Sequence, residues 1–246
     1  MSVQDWFATW FNSPYYHILY KNRDDEEAEK FIDKLVSHLS LEKGSRALDL
    51  ACGKGRHSLQ LRNAGYEVVG IDLSEESIEE AKSIERDGLE FFVHDMRSLY
   101  WSEHFDLVAN LFTSFGYFHD AEDDQNTISS VADSLKPGGV FVLDFLNAIE
   151  VQENLVDYEE KEIDGIRFEL NRSVEDGIIK KRIHVIDGDV ELNFEEQVDA
   201  LRLDDFKGYF GEAGLELETT FGNYDLEPFD RSASDRLIMI TRKPKS

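Results

Sequence analysis

Between Arg46 and Leu146 the chain repeats one pattern: a short, near-continuous apolar run, a segment of helical period, then another apolar run. Strands that are apolar on both faces must be covered on both faces, and helical connections are what cover them in a parallel sheet. The runs are "RALDL", "YEVVGIDL", "LEFFVHD", "FDLVANLFTS" and "VFVLDFL". Between them, "GRHSLQLRNAG" reads as a helix closed by Gly65. "SEESIEEAKSIERDG" reads as a helix with Ser74 as N-cap, acids in its first turn and Gly88 near its C-terminus. "AEDDQNTISSVADSLKPGG" reads as a helix ending in a Pro-Gly-Gly turn.

After Asn147 the period changes to two. Ile166, Phe168 and Leu170 form one alternating set, Ile183 and Val185 a second, and Val190, Leu192 and Phe194 a third, with Asp176-Gly177 and Asp187-Gly188 at the joints. Helical "LDDFKGYFGEAG" follows, then two more strands, "LELETTF" and "DRLIMITRK". The expected fold is therefore α/β: a doubly wound, mostly parallel seven-stranded sheet with an antiparallel β insertion after the fifth strand. Residues 41–150 and 202–246 make the ligand-binding unit, and residues 151–201 make the insertion, a substrate cap or a dimer contact. Residues 1–40 form an aromatic helical lid. In it Trp6, Phe7, Trp10 and Phe11 recur at helical spacing, Ser13-Pro14 breaks the run, and a helix runs from about Asp24 to Leu39.

The 246 residues carry 26 Lys+Arg against 52 Asp+Glu, a formal charge of −26. Binding to a phosphate backbone depends on basic side chains, so this balance argues against nucleic acid as a partner. One cysteine, Cys52, permits no internal disulfide. No basic-then-apolar leader and no membrane-spanning apolar run is read, so the expectation is a cytoplasmic protein, monomer or homodimer, with no membrane partner. The histidines are scattered without ligand spacing, so no metal is expected.

The chemistry concentrates at the break in "ALDLACGKGRHSL", where the first strand gives way to a helix. In open parallel sheets ligands bind beyond the carboxyl ends of the strands, near the switch in strand order. Gly53 and Gly55 let the backbone come close to a ligand. Asp72, ending the second strand, suits the two hydroxyls of a ribose. A nicotinamide dinucleotide meets these conditions too. However, the third glycine of that fingerprint would fall at Ser58. Asp49 would repel a pyrophosphate and attract a cation, and Asp95 at the third strand's end could accept from an exocyclic amine. Acids closing three successive strands suit a nucleoside bearing positive charge.

In these motifs the chain resembles the class I S-adenosylmethionine-dependent methyltransferases, whose Rossmann-like fold is the one expected above. "LDLACGKG" resembles their glycine-rich first motif, "VVGIDLS" the ribose-binding strand end, "VHDM" the adenine corner, "FDLVANLFTSFGYF" the fourth strand with its substrate-side loop, and "LKPGGVFVLDF" the fifth strand. "SPYYHILYKNRDDEEA" and the insertion resemble a bacterial small-molecule subgroup. The resemblance implies S-adenosyl-L-methionine as cofactor, S-adenosyl-L-homocysteine as product, and a small-molecule methyl acceptor. It implies that Asp49 and the backbone of Ala51, Cys52 and Gly53 hold the methionine moiety, while Gly55 starts the helix close by. Asp72 takes the ribose, Leu73 packs on adenine, Asp95 accepts from its amine and Met96 lies near. Asn110, where many relatives carry an acid, and Leu111 line the methionine end, and Tyr15 and Tyr20 close from the N-terminal segment. On the acceptor side Tyr117, His119 and Tyr16 are the candidate catalytic residues, with Phe115, His17, Arg182 and His184 as further candidates. Two rival readings stand beside this one: a non-catalytic binder of the same nucleoside, and a nicotinamide-dependent oxidoreductase.

Overall fold

The computed structural model describes residues 6–21 and 25–245; the side chains of Trp6 and Phe7, and residue Asp24, lie outside that description. In chain order the helices are α1 (Trp6–Phe11), α2 (Pro14–Leu19), α3 (Asp25–Leu39), α4 (Arg56–Asn63), α5 (Glu75–Ala81), α6 (Ala121–Ser134), α7 (Ala148–Glu153) and α8 (Leu203–Glu212). The strands of the main sheet are β1 (Arg46–Leu50), β2 (Glu67–Asp72), β3 (Leu89–Val93), β4 (Phe105–Asn110), β5 (Leu135–Leu146), β10 (Glu216–Phe221) and β11 (Arg236–Arg242). They lie in the order β10-β11-β5-β4-β1-β2-β3. Only β11 runs against its neighbours β5 and β10. β1 pairs in parallel with both β2 and β4, so the strand order reverses at its carboxyl end.

Alternate residues of the buried strands face opposite layers. Ala47, Val68, Phe91, Leu107 and Val142 pack with Phe31 and Leu35 of α3, Leu61 of α4 and Ile78 of α5. Leu48, Val108, Phe141, Leu143 and Phe145 pack on the other face with Val131 of α6 and Phe206 and Phe210 of α8. Each fully buried phenylalanine stabilises by about 1.5–3 kcal/mol relative to an exposed one, so both layers are held chiefly by apolar burial.

Two boundaries differ from the sequence reading. α5 stops at Ala81 and tightens into a 3₁₀ turn, Lys82–Ile84, well before Gly88. Gly88 instead turns the chain into β3 at φ +73°. The Pro-Gly-Gly segment does not form a separate turn either. It is absorbed as an irregularity at the start of β5, whose register against β4 jumps from Phe105↔Leu135 to Leu107↔Val140.

The inserted sheet has four antiparallel strands, β6 (Tyr158–Ile163), β7 (Ile166–Glu175), β8 (Ile178–Asp187) and β9 (Val190–Asp199). Asp164-Gly165 and Asp176-Gly177 turn with both residues at positive φ, the twist that two-residue hairpins favour. One face of this sheet carries Phe168, Leu170, Ile183 and Val185, and α1 and α2 lie on it: Trp10 is fully buried there. Among the described residues no helix is long and apolar enough to cross a membrane.

Candidate active site

The site forms where β1 and β4 diverge. Of the five residues from Ala51 to Gly55, three have left-handed backbone: Ala51 at φ +60°, Gly53 at +54° and Gly55 at +81°. A Cβ on Gly55 would stand 2.5 Å from the Phe91 ring, so α4 can start against β3 only without a side chain there. Asp49 lies beneath this turn, 2% exposed, and accepts a 2.5 Å hydrogen bond from the Ser58 hydroxyl. The position where a dinucleotide fold needs its third glycine thus carries a hydroxyl that holds Asp49. Burial pushes the Asp49 carboxyl up to about 6, against the opposing pull of Ser58. Cys52 packs into the core, and burial raises its thiol well above the ordinary value.

Asp72 pins the turn from the β2 side. One oxygen accepts from Gly53 N and the other from Ser74 N, each at 2.8 Å. Burial raises its carboxyl, and these N–H groups work against that rise. A carboxylate has four lone-pair sites, so two remain for hydroxyl donors. Leu73 beside it is 45% exposed, an uncovered apolar surface next to the acid. Asp95 is already paired: Arg97 donates to both of its oxygens at 2.6–3.1 Å and also reaches Asp123 at 2.8 Å. Arg97 holds the Asp95 carboxyl below its ordinary value. Met96 leans into the core on the β4 side.

At the end of β4, Asn110 is fully buried, and Leu111 just beyond the strand is nearly so. The Asn110 amide donates to the Leu50 carbonyl at 2.9 Å. A carbonyl only accepts, so the NH₂ must face Leu50 and the amide oxygen must face away. That oxygen is buried and makes no hydrogen bond. Buried acceptors without partners are rare and costly. This one lies at the fork of β1 and β4, where a cationic donor would satisfy it.

The loop after β4 is shaped by a network with no local sequence signal. Asp144, fully buried at the end of β5, accepts from Phe112 N (2.8 Å) and Tyr224 (3.2 Å), and pairs with Arg236 at 2.7 Å. Arg236 also donates to Thr113. Phe112 and Thr113 are held at φ near +60° by these contacts. The acid in "VLDF" marks a strand end, but its partners lie 32 to 92 residues away.

The N-terminal segment reaches this region. The Ser74 hydroxyl donates to Asn12 at 3.0 Å, and Phe11 meets the Tyr117 ring edge-on at 5.7 Å. Tyr16 meets the rings of Trp10, Phe11 and His17 edge-on and that of Tyr20 at a tilt. The hydroxyls of Tyr15 and Tyr20, expected at the cofactor, are engaged by the inserted sheet, on Asp187 and Glu196 respectively. Tyr117 donates to the Thr113 carbonyl. His119 holds Asp199 at 2.7 Å. Burial and Lys54 lower the His17 imidazole's affinity for a proton.

Three acceptor-side candidates lie elsewhere. Phe115 is core, packed on Phe206. Arg182 pairs with Glu195 and His184 with Glu169, on the side of the inserted sheet opposite to Ile183 and Val185. The period-two pattern carries that information, since an odd-numbered apolar set facing inward sends 182 and 184 outward. An open groove of about 430 Å³ lies at the other end of the strands, lined by Arg46, Glu67, Trp101 and His104, and takes no part in the site. Among the described residues no three His, Cys, Asp or Glu side chains gather to hold a metal.

A doubly wound sheet with a glycine turn and acids at its switch point defines a nucleoside-binding α/β protein. Residues 41–197 match the family model described as a methyltransferase domain, and the chain belongs to that family. It is similar to the cypemycin N-terminal methyltransferase of a Streptomyces species, 28% identical over 84% of this chain and 86% of that one. It is similar also to a glycine/sarcosine N-methyltransferase of Aphanothece halophytica, 28% identical over 90% of this chain and 83% of that one. In fold it matches the crystal structure of an S-adenosylmethionine-dependent methyltransferase from Clostridium acetobutylicum, with TM-score 0.79, 22% identity, and 94% and 96% of the two chains covered.

Proposed function

We propose that the chain transfers a methyl group from S-adenosyl-L-methionine to a nitrogen or oxygen of a small molecule in the cytoplasm. The observation that carries this reading is the buried, unpaired oxygen of Asn110 at the β1–β4 fork. It suits the α-ammonium of the methionine moiety, beside the backbone of Ala51, Cys52 and Gly53. Asp72 offers its two remaining lone-pair sites to the ribose hydroxyls, Leu73 its exposed face to adenine, and Asp95 its outer lone pair to the adenine amine. Asp49 acts from beneath, as a negative charge under the turn. When bound, the sulfonium supplies a methyl group already activated for in-line displacement.

The protein's own work is alignment and the exclusion of water. Effective molarities of about 10⁵ M or more are available to well-placed groups, so alignment alone accounts for much of a rate. Phe11, Tyr16 and Tyr117 form an aromatic wall over the acceptor side, and the wall is braced by the inserted sheet. Tyr15 and Tyr20 enter this reading as anchors of that wall. The charge of −26 and the amine acceptor in the Aphanothece relative's name support a small acceptor over a nucleic acid.

Calorimetry with S-adenosyl-L-methionine tests the reading. Asp72→Ala is expected to weaken binding about 10- to 100-fold, the worth of hydrogen bonds to a charged group. Unchanged affinity removes the ribose assignment. Binding without turnover on a panel of amines, sugars and acids would make the chain a non-catalytic binder.

A further inference from the structure

His119 and Asp199 come from different parts of the fold. His119 sits at φ +55° between β4 and α6, and Asp199 is the last residue of β9 in the inserted sheet. The backbone fastens the two together: Asp199 N donates to the Gly116 carbonyl at 2.8 Å. A Cβ on Gly116 would stand 3.4 Å from Val198, so the loop and the strand end are in contact. His119 Nδ1 lies 2.7 Å from Asp199 Oδ1, and His119 Nε2 is buried with no hydrogen bond.

This geometry fixes the tautomer. An ionised carboxylate only accepts, so Nδ1 must carry the proton, and the neutral ring keeps its lone pair at Nε2. Asp124 on α6 lies near Asp199 and is 1% exposed. One of its oxygens has no partner and the other receives the Tyr209 hydroxyl at 3.4 Å. Asp199 on β9 is thus the acid that bonds the ring, while burial and the Asp199 charge push the Asp124 carboxyl on α6 up to about 7.

We propose that Asp199 is a positioning residue that presents His119 Nε2 as the base for the methyl acceptor, so that the inserted sheet supplies part of the transfer site. The inference rests on the methyl-transfer reading above and narrows its acceptor to a group that must shed a proton, an amine nitrogen before all. The acceptor nitrogen's lone pair forms the new N–C bond, and the C–S bonding pair departs with sulfur, which becomes a neutral thioether. The nitrogen's proton passes to Nε2, whose new charge Asp199 compensates through Nδ1–H. No further reactant is needed.

Two measurements on Asp199→Asn test this. The first needs no acceptor: ¹⁵N imidazole spectra of the full chain with S-adenosyl-L-homocysteine present. Wild type is expected to show the Nδ1-protonated tautomer. In the variant the tautomer should become mixed, because the carboxylate that accepts from Nδ1–H is gone. The second is methyl transfer to sarcosine, or to whichever small amine the wild type turns over in an amino-acid and amino-sugar panel. There kcat should fall about 100-fold, the usual worth of a positioned base. KM and the cofactor's Kd should stay within about twofold, so that the loss falls on kcat alone. An Nε2-protonated ring in wild type, an unaltered tautomer in the variant, or equal losses in cofactor binding and kcat would overturn the proposal. Failure of wild type to bind S-adenosyl-L-methionine is a different result and would strike the methyl-transfer reading itself.

Discussion

Gly55→Ala separates two costs that the glycine turn imposes together. The position has φ +81°, and an L-residue in that region costs about 1–2 kcal/mol. The new methyl would also stand 2.5 and 2.6 Å from two Phe91 ring atoms, and overpacking of a filled core costs about 1–3 kcal/mol. The alanine restricts the unfolded chain, which returns about 0.4–1 kcal/mol. The net expectation is a loss of about 2–4 kcal/mol by urea unfolding. Phe91 is fully buried between α4 and β2, so trimming it to leucine has its own cost. Trimming also removes the ring edge that the methyl strikes. The double variant should therefore cost less than the sum of the singles by about 1–2 kcal/mol. Additivity of the two changes would show that the ring moves aside freely. A Gly55→Ala loss under about 0.5 kcal/mol would refute the close approach of α4 to β3 altogether.

Asp144→Asn leaves the half-buried guanidinium of Arg236 without its counter-charge, and thermal unfolding should report a loss of about 2–4 kcal/mol, somewhat under that of a fully buried pair. Replacing both partners by apolar residues should cost less, and an equal cost would contradict the pairing. Asn110→Leu removes the buried acceptor at the fork, so calorimetry should find S-adenosyl-L-methionine bound about 10-fold more weakly or worse, with the fold intact by circular dichroism. The Asp49 carboxyl has a folded-state value raised to about 6 from 3.8, so its favourable contribution is complete below the unfolded value and is lost as pH rises through about 6. Asp49→Asn should thus gain on wild type between about pH 4 and pH 6, by at most about 3 kcal/mol, and hold that gain above, in paired denaturation series; a difference flat from about pH 4 to pH 6 would refute the burial argument.

The layers of the fold were legible because they rest on period. Near-continuous apolar runs announced β1, β2, β4 and β5, and alternation announced β7, β8 and β9. β6 escaped notice because "YEEKEI" is mostly polar, and its Tyr158 is exposed at the sheet's edge. Edge strands are specified by their neighbour's backbone more than by their own side chains. The glycine turn and Asp72 were legible for a related reason, since both act within one strand–turn–helix unit. Asp144 with Arg236, and His119 with Asp199, were not paired in the sequence because nothing local couples residues 92 and 80 positions apart.

The strand-end acids, legible one by one, carry a meaning that only the structure supplies. Asp72 binds Gly53 N and Ser74 N, Asp144 binds Phe112 N, and Asp49 binds the Ser58 hydroxyl, so each holds a segment that borders the site. An acid at a strand end is therefore a clamp on its own surroundings before it is a seat for a ligand. The two roles need different parts of the group. Holding an N–H needs an oxygen in the right place, which an amide supplies, whereas attracting a sulfonium needs the charge, which an amide lacks. Asp72→Asn keeps one acceptor oxygen and turns its NH₂ on the other N–H, so it should keep only part of the stability that Asp72→Ala loses, yet bind S-adenosyl-L-methionine more weakly than wild type, because hydrogen bonds to charged groups are worth about 1.5–3 kcal/mol against about 1 for neutral ones. Parallel calorimetry and unfolding on the two variants would decide it. If asparagine and alanine weakened binding and stability alike, clamp and seat would be one function, and the charge at the switch point would have no separate part in recognising a cation.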